Sequence, residues 1–199
     1  MLRIVTLLLA AFLLAGFTPP RNAEVYRNNV IRETRYFWGM QQNPSLFFGQ
    51  IHQESAWNPD AESKYAAGLT QFTPDTAKWI QQLYANQLGE LCSDPQGCVF
   101  SPRWAIRSML IYGKRLWNQF VESIGDDKFA FMLASYNGGL GWIRREQQIV
   151  AAPNVWFGSV ENSCLRAKWA CDENRSYPRK ILFHWRPEYQ RWLEVVGIL

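Results

Sequence analysis

The sequence has little of what several common functions require. It contains only two histidines, His52 and His184, and its four cysteines have no CxxC spacing, so a zinc site is a weak explanation for the cysteines. No run of five or more Lys and Arg residues occurs, and the formal net charge is only +4. We therefore expect no nucleic-acid partner, whereas an acidic polymer is compatible with this charge.

Strand-like alternation, internal repeats and low-complexity tracts are also missing, and Pro and Gly punctuate segments with helical periodicity. The sequence therefore predicts a mainly α fold. A chain of 199 residues, 48% of them hydrophobic, is long enough for one domain with a continuous core. Ten Trp, twelve Phe and eight Tyr residues fit core packing for the most part, with some available for a substrate groove.

The first twenty residues have the layout of an export signal: Arg3, an apolar run over residues 4–17, then a Pro pair. As a helix this run would extend only ~21 Å, less than the ~30 Å hydrocarbon core of a membrane. We therefore expect residues 1–20 to be a signal peptide, with an uncleaved inner-membrane anchor as the alternative, and the protein to be exported to the periplasm. No cysteine follows the run, so a lipid anchor is not indicated. The folded domain is expected to start near residues 24–28 and to cover 24–199.

The cysteines form two close pairs, because Cys92 and Cys98 flank SDPQG, and Cys164 and Cys171 flank LRAKWA. Both pairs lie in loop-like surroundings of a chain that carries an export signal, where disulfides form and persist. We predict the disulfides Cys92–Cys98 and Cys164–Cys171, ahead of the zinc alternative.

Helix starts are marked by Asn43 with Pro44, Thr73 with Pro74, and Ser101 with Pro102, and stops by glycines and prolines. The expected helices cover about residues 44–56, 74–88, 102–124, 127–136, 141–150, 177–185 and a last segment from 187.

Glu54 follows Phe47 and Ile51 at spacings of four and three, so the three side chains share one helix face. That face is apolar and must point to the core, which directs Glu54 inward or into a cleft. Apolar surroundings disfavour the charged carboxylate and raise its pKa, so the group can act as a general acid near neutral pH. A capping Glu, or one paired with an arginine, is equally compatible with the spacing alone.

The segment that begins at Glu54, ESAWNPDAESKYAAGLTQFTPDTA, resembles the signature of the SLT-domain lytic transglycosylases, which are related to goose-type lysozyme and cleave peptidoglycan. Two features depart from that signature: the loop between Ser63 and Gly68 is one residue shorter than usual, and Thr70 replaces a common Met. The residues in register with the signature are Glu54, Ser55, Pro59, Ala61, Ser63, Gly68, Leu69, Gln71, Pro74, Thr76 and Ala77.

Three further stretches match the family in the right order: SPRWAIRSMLIYGKRLW, ASYNGG and ENRSYPRKIL. The last resembles E-T-x-x-Y-V-x-x-I, with Asn174 and Pro178 as departures. The resemblance covers about residues 40–183. The matching positions in these stretches are Ile106, Tyr112, Leu116, Ala134, Tyr136, Asn137, Gly139, Glu173, Tyr177 and Ile181.

The resemblance implies a lysozyme-like helical transglycosylase domain in which Glu54 is the catalytic acid and base. It implies no metal or organic cofactor, and it places Tyr177 within reach of the catalytic carboxyl. The nearby Asp60, Glu62 and Asp75 have solvated or helix-dipole roles as their default. The residues expected to bind substrate are Ser63, Gln71, Tyr136, Asn137 and Tyr177. Without the resemblance, ordinary core packing would be the better explanation for the two tyrosines.

The expected substrate is the glycan strand of peptidoglycan, cleaved at the MurNAc-β-1,4-GlcNAc bond to a 1,6-anhydro-MurNAc product. One alternative is a muramidase, which would hydrolyse the same bond with water. A second is a catalytically weak wall-binding protein of an envelope-spanning machine, although such a binder has no need of an acid in an apolar site. The sequence does not identify a machinery partner.

Overall fold

A computed structural model describes residues 17–92 and 97–199. Over these residues the fold is mainly α, as predicted, and contains no β-strand, only isolated bridges of Ala67 with Glu62 and with Phe72. No helix within the described residues is long and apolar enough to cross a membrane. Nearly all of the predicted export signal lies outside the described residues.

The helices are numbered here in chain order. They are α1 (Arg21–Trp38), α2 (Ser45–Ser55), α3 (Pro74–Leu83), α4 (Ala85–Leu88), α5 (Pro102–Trp117), α6 (Gly125–Gly138), α7 (Leu140–Gln147), α8 (Lys168–Lys180), a π-helical turn (Ile181–Trp185) and α9 (Arg186–Val195). Short 3₁₀ turns occupy Cys98–Phe100 and Val160–Asn162.

Helix α2 lies at the centre of the fold and carries Glu54 near its end. The side-chain oxygen of Asn43 accepts a hydrogen bond from the backbone N–H of Ser45 at 2.9 Å, which satisfies a donor at the helix start. Phe47 and Ile51 are completely buried, and α2 packs against α1, α9 and the π-helical turn. The prediction of a helix near residues 44–56, with this face inward, is confirmed.

Helix α1 was not predicted, and it begins three residues before the expected domain boundary at residue 24. Ala23, Val30 and Ile31 are buried at spacings of seven and one, which place them on one face. This face packs mainly against α5. Ahead of α1, the ring of Phe17 lies edge-on to Tyr189, with centroids 4.9 Å apart, so the packed part of the protein includes Phe17.

Two predicted helices are shorter or interrupted. Helix α5 ends at Trp117 instead of near 124, and the chain then turns so that Phe120 stacks on Phe131 with centroids 4.8 Å apart. The helix predicted over 74–88 breaks at Tyr84, whose φ of −119° is not helical. No proline or glycine in the sequence marks either break.

Helix α8 begins at Lys168, nine residues before the predicted start near 177, and continues through Pro178. A proline inside a helix removes one backbone hydrogen bond and clashes with the preceding turn, so the sequence favoured a boundary there. In the structure, the buried Tyr177, Ile181 and Leu182 hold the segment against the core. Tertiary packing thus outweighs the local cost of Pro178, and the helix passes directly into the π-helical turn.

Both predicted disulfides are present. One joins Cys92 to Cys98, with Cα atoms 5.4 Å apart, and the other joins Cys164 to Cys171, with Cα atoms 6.0 Å apart. The second closes the loop that leads into α8.

Candidate active site

A cleft of about 610 Å³ opens between the end of α2, the loop after it, the end of α6, and α8. Every residue that the sequence analysis assigned to the site lines this cleft: Glu54, Ser63, Gln71, Tyr136, Asn137 and Tyr177. The structure therefore brings together residues from three separate parts of the chain. Their catalytic and binding roles stay predictions.

The Glu54 carboxyl is paired with the Tyr177 hydroxyl, which donates a hydrogen bond to Oε1 of Glu54. The pKa of the Glu54 carboxyl is raised to about 8, chiefly because burial disfavours its charged form. The hydrogen bond from Tyr177 opposes this rise, and the negative charge of Glu173 adds to it. Since Oε1 accepts from the phenol, Oε2 is the carboxyl oxygen that Tyr177 leaves available.

Tyr136 contacts the loop and not the acid, because its hydroxyl donates to the backbone carbonyl of Thr70 at 2.8 Å. Its ring packs against Phe72 and Tyr112, with centroids 5.5 Å away in both cases. Burial and, secondly, the charge of Glu54 raise the pKa of the Tyr136 hydroxyl well above its usual range. The same two causes act on Tyr177, so both phenols keep their protons and remain donors.

The loop after α2 is held by its own polar side chains. The Ser63 hydroxyl donates to the carbonyl of Ala66 at 3.0 Å and accepts from the N–H groups of Tyr65 and Ala66. The Gln71 amide nitrogen donates to the carbonyls of Gly68 and Ala61, at 3.0 and 3.2 Å. The Ser63 hydroxyl and the Gln71 amide nitrogen thus both donate within the loop. The Gln71 amide oxygen is available to the cleft.

Two contacts fix this loop to the rest of the protein. The Ser55 hydroxyl, next to Glu54, donates to the carbonyl of Leu69 at 2.8 Å. Gly68 has a φ of +76°, and a Cβ atom added there would lie 1.8 Å from the carbonyl oxygen of Val99. Only glycine allows this close approach, which explains the small residue within the signature.

The sequence analysis did not recognise Glu173 as a second carboxyl group in the cleft, although its motif was identified. Glu173 lines the cleft, and its Oε1 accepts a hydrogen bond from the Asn137 amide nitrogen at 3.3 Å. Glu173 precedes Tyr177 by four residues, so both lie on one face of α8. That spacing was available in the sequence, but the helix was predicted to start only at 177.

The cleft wall also contains residues that no motif indicated, among them Gln53, Tyr65 and Lys180. Tyr65 is 66% exposed, an unusual position for an aromatic ring and one suited to a sugar face. No cluster of three His, Cys, Asp or Glu side chains suited to a metal ion occurs among residues 17–92 and 97–199.

One comparison with known proteins shows the family. The family model "Transglycosylase SLT domain" matches residues 35–156, more than half of the chain. No curated protein matches the sequence.

Two solved structures share the fold. The 70 kDa soluble lytic transglycosylase from Escherichia coli aligns over 84% of this chain with a TM-score of 0.60 and 24% identity. An inactive mutant of the lytic transglycosylase Slt from Pseudomonas aeruginosa aligns over 89% with a TM-score of 0.64 and 24% identity. The chain spans only about a quarter of the length of either protein, 24% and 25% respectively.

Proposed function

Because the chain belongs to the transglycosylase SLT domain family, we propose that it is an exported lytic transglycosylase that cleaves the glycan strands of peptidoglycan. The observation that carries this proposal is the state of Glu54. A carboxyl group with a pKa of about 8, facing a sugar-sized cleft, holds its proton at neutral pH.

In the proposed reaction, Glu54 gives its Oε2 proton to the oxygen of the MurNAc-β-1,4-GlcNAc bond as that bond breaks. The resulting carboxylate then takes the proton of the MurNAc 6-hydroxyl, whose oxygen closes onto the anomeric carbon. The product is a 1,6-anhydro-MurNAc end, Glu54 is neutral again, and no water is consumed. One carboxyl group thus serves as acid and then as base.

Tyr177 orients the carboxyl group and stabilises the carboxylate that forms in the first step, because its hydroxyl donates to Oε1. Tyr136 has a different role: its hydroxyl donates to the Thr70 carbonyl and so fixes the loop that forms one wall of the cleft. Ser63, Gln71 and Asn137 are the proposed sugar contacts, with Gln71 offering its amide oxygen.

A second candidate function, muramidase activity, is favoured by one observation. Ordinary glycoside hydrolysis uses two carboxyl groups, and Glu173 is a second one in the same cleft. In that reaction Glu173 would activate a water molecule, and the new end would be a reducing MurNAc.

We further propose that residues 1–20 direct export, that the transglycosylase domain covers residues 24–199, and that the protein acts on the wall in the periplasm. A role in local wall opening for an envelope machine is compatible with this placement.

The proposal is tested by the release of soluble fragments from purified peptidoglycan. Glu54→Gln keeps the size of the side chain and still accepts from Tyr177, but it cannot transfer a proton, so release should fall at least ~10²-fold. Glu62→Gln is the matched control, because Glu62 is an exposed glutamate outside the cleft lining. Full activity of Glu54→Gln would show that the acid lies elsewhere.

A further inference from the structure

A buried ion pair lies behind the cleft wall, outside the contacts of Glu54. The Arg166 guanidinium, in the loop closed by the Cys164–Cys171 disulfide, donates to both carboxylate oxygens of Glu146 at 3.1 and 3.2 Å. The side chain of Glu146 is 1% exposed and that of Arg166 is 10% exposed. The ion pair is thus nearly closed off from water and fixed in two directions by its fork geometry.

The same guanidinium determines how the Asn174 amide is turned. Arg166 donates from Nη2 to Oδ1 of Asn174 at 2.9 Å, and a guanidinium can only donate. On its other side, Asn174 donates from Nδ2 to the backbone carbonyl of Ala134 at 2.8 Å, and a carbonyl can only accept. Two independent neighbours therefore require the same orientation of this buried amide.

The orientation of the Asn174 amide in turn fixes that of Asn137, which lines the cleft. Asn174 Nδ2 also donates to Oδ1 of Asn137 at 3.0 Å. The side-chain oxygen of Asn137 therefore faces Asn174 and not the cleft. The remaining amide nitrogen of Asn137 faces Glu173, at 3.3 Å from its Oε1. The side that Asn137 offers to the cleft is thereby a donor.

The backbone beside Asn137 fits this arrangement closely. A Cβ atom at Gly138 would lie 2.4 Å from Nη1 of Arg166 and 2.5 Å from Nδ2 of Asn174. Arg166 and Asn174 therefore occupy the space against which the end of α6 packs, and they support its backbone as well as its amide.

We propose that Arg166 and Asn174 are positioning residues that fix Asn137 with its N–H₂ group toward the cleft, where it binds an acceptor oxygen of the glycan. The part of this inference that concerns the glycan rests on the proposed function. Asn174 stands where the SLT signature has Thr, so the amide that links Arg166 to Asn137 is a departure of this sequence from the family pattern. The disulfide loop, which supplies Arg166, is thereby coupled to one wall of the cleft.

The first test needs no ligand. Asn174→Asp keeps the shape and still accepts from Arg166, but a carboxylate cannot donate to Asn137, so the Asn137 amide should turn over. The measurement is the side-chain ¹⁵N resonance of Asn137 in the intact protein, identified by its loss in Asn137→Asp. We expect an N–H₂ signal that exchanges readily with solvent in the wild type, where the group faces the cleft, and a shifted, more slowly exchanging one in Asn174→Asp, where the turned group faces the buried carboxylate. An unchanged signal would overturn the proposed relay, by which Arg166 and Asn174 fix the Asn137 amide.

The second test measures binding of an N-acetylglucosamine oligomer by calorimetry, in the Glu54→Gln background to prevent cleavage. Asn174→Asp should raise the Kd about five- to tenfold, the loss expected for one hydrogen bond. The matched control is Arg107→Gln, which breaks a partly buried ion pair, Arg107 with Glu33, bonded at 2.8 and 2.9 Å. Arg107 does not line the cleft, so this control should lower the melting temperature without changing the Kd.

The outcomes separate the two proposals. An unchanged Kd together with an altered Asn137 signal would overturn the binding role and leave the relay supported. Absence of any binding by the Glu54→Gln protein would count against the proposed function, and the ligand-free resonance would then decide the relay alone. If Asn174→Asp does not fold, Asn174→Ala serves in both tests, because it has no side-chain donor for Asn137.

Discussion

The hydroxyl of Tyr177 donates to Oε1 of Glu54 and joins two residues that lie 123 positions apart in the chain. This contact ties α8 to α2 across the cleft and leaves Oε2 of Glu54 available to carry the proton in the proposed reaction. In the proposed function, this contact orients the acid before a substrate arrives, which favours efficient proton transfer.

The rate of wall cleavage should fall as the pH rises through about 8. The Glu54 carboxyl, whose pKa is about 8, must be protonated to act as the acid, and deprotonation removes that form. The measurement is the initial rate of fragment release between pH 5 and pH 10. An alkaline limit near the ordinary pKa of 4.5 would contradict a buried acid at this position.

Tyr177→Phe should move that alkaline limit upward and lower the rate near neutral pH about ten- to hundredfold. Its hydrogen bond stabilises the Glu54 carboxylate and lowers the pKa of the group, so its loss raises the pKa and leaves the charged form without its donor. Tyr136→Phe is the matched control, because its hydroxyl donates to Thr70 and not to the acid. The two variants should differ in the pH profile, and identical profiles would exclude a direct action of Tyr177 on Glu54.

Glu54→Gln should be more stable than the wild type at alkaline pH. The pKa of Glu54 is raised on folding, so the folded state binds its proton more tightly than the unfolded state does. This contribution is complete below pH 4.5 and is lost as the pH rises to about 8. The melting temperatures should therefore be close at pH 4, and that of the variant higher by about ten degrees at pH 9. A wild type as stable as the variant at pH 9 would contradict a carboxylate whose charged form is disfavoured by burial.

Gly68→Ala should destabilise the protein by about 2 to 5 kcal/mol, because the new Cβ meets the Val99 carbonyl at 1.8 Å and the φ of +76° disfavours alanine. Gly141→Ala is the control, because Gly141 lies in α7 with no atom within 4 Å of a new Cβ. The stability of this variant should equal that of the wild type or exceed it slightly. Chemical denaturation measures both. Equal stability of the two variants would refute the close approach at Gly68.

The sequence predicted most of what depends on local pattern. The stripe of Phe47, Ile51 and Glu54 placed the acid on the correct face, and short loop lengths predicted both disulfides. Both features are encoded by spacing within a few residues, which a single sequence displays directly. The common cleft of the site residues was implied by the family resemblance and not by local pattern.

What the sequence did not predict depends on contacts between distant segments. Pro178 suggested a helix boundary, but the buried residues around it carry α8 past the proline. The direction of the Asn137 amide depends on Arg166 and Asn174, and no pattern in one segment reveals a hydrogen bond to another. The hydrogen bonds of the Ser63 hydroxyl within its own loop, to Ala66 and from Tyr65, were not predicted either, and its contact with the sugar stays a prediction.

The central claim, that Glu54 serves as acid and then as base without water, is tested most directly by the chemical nature of the cleaved ends. Purified peptidoglycan is digested with the wild-type protein and with Glu54→Gln, and the masses of the released muropeptides are measured by mass spectrometry. The account predicts 1,6-anhydro-MurNAc ends from the wild type and almost none from the variant. Reducing MurNAc ends, heavier by one water molecule, would contradict it and assign hydrolysis, with Glu173 as the second carboxyl group.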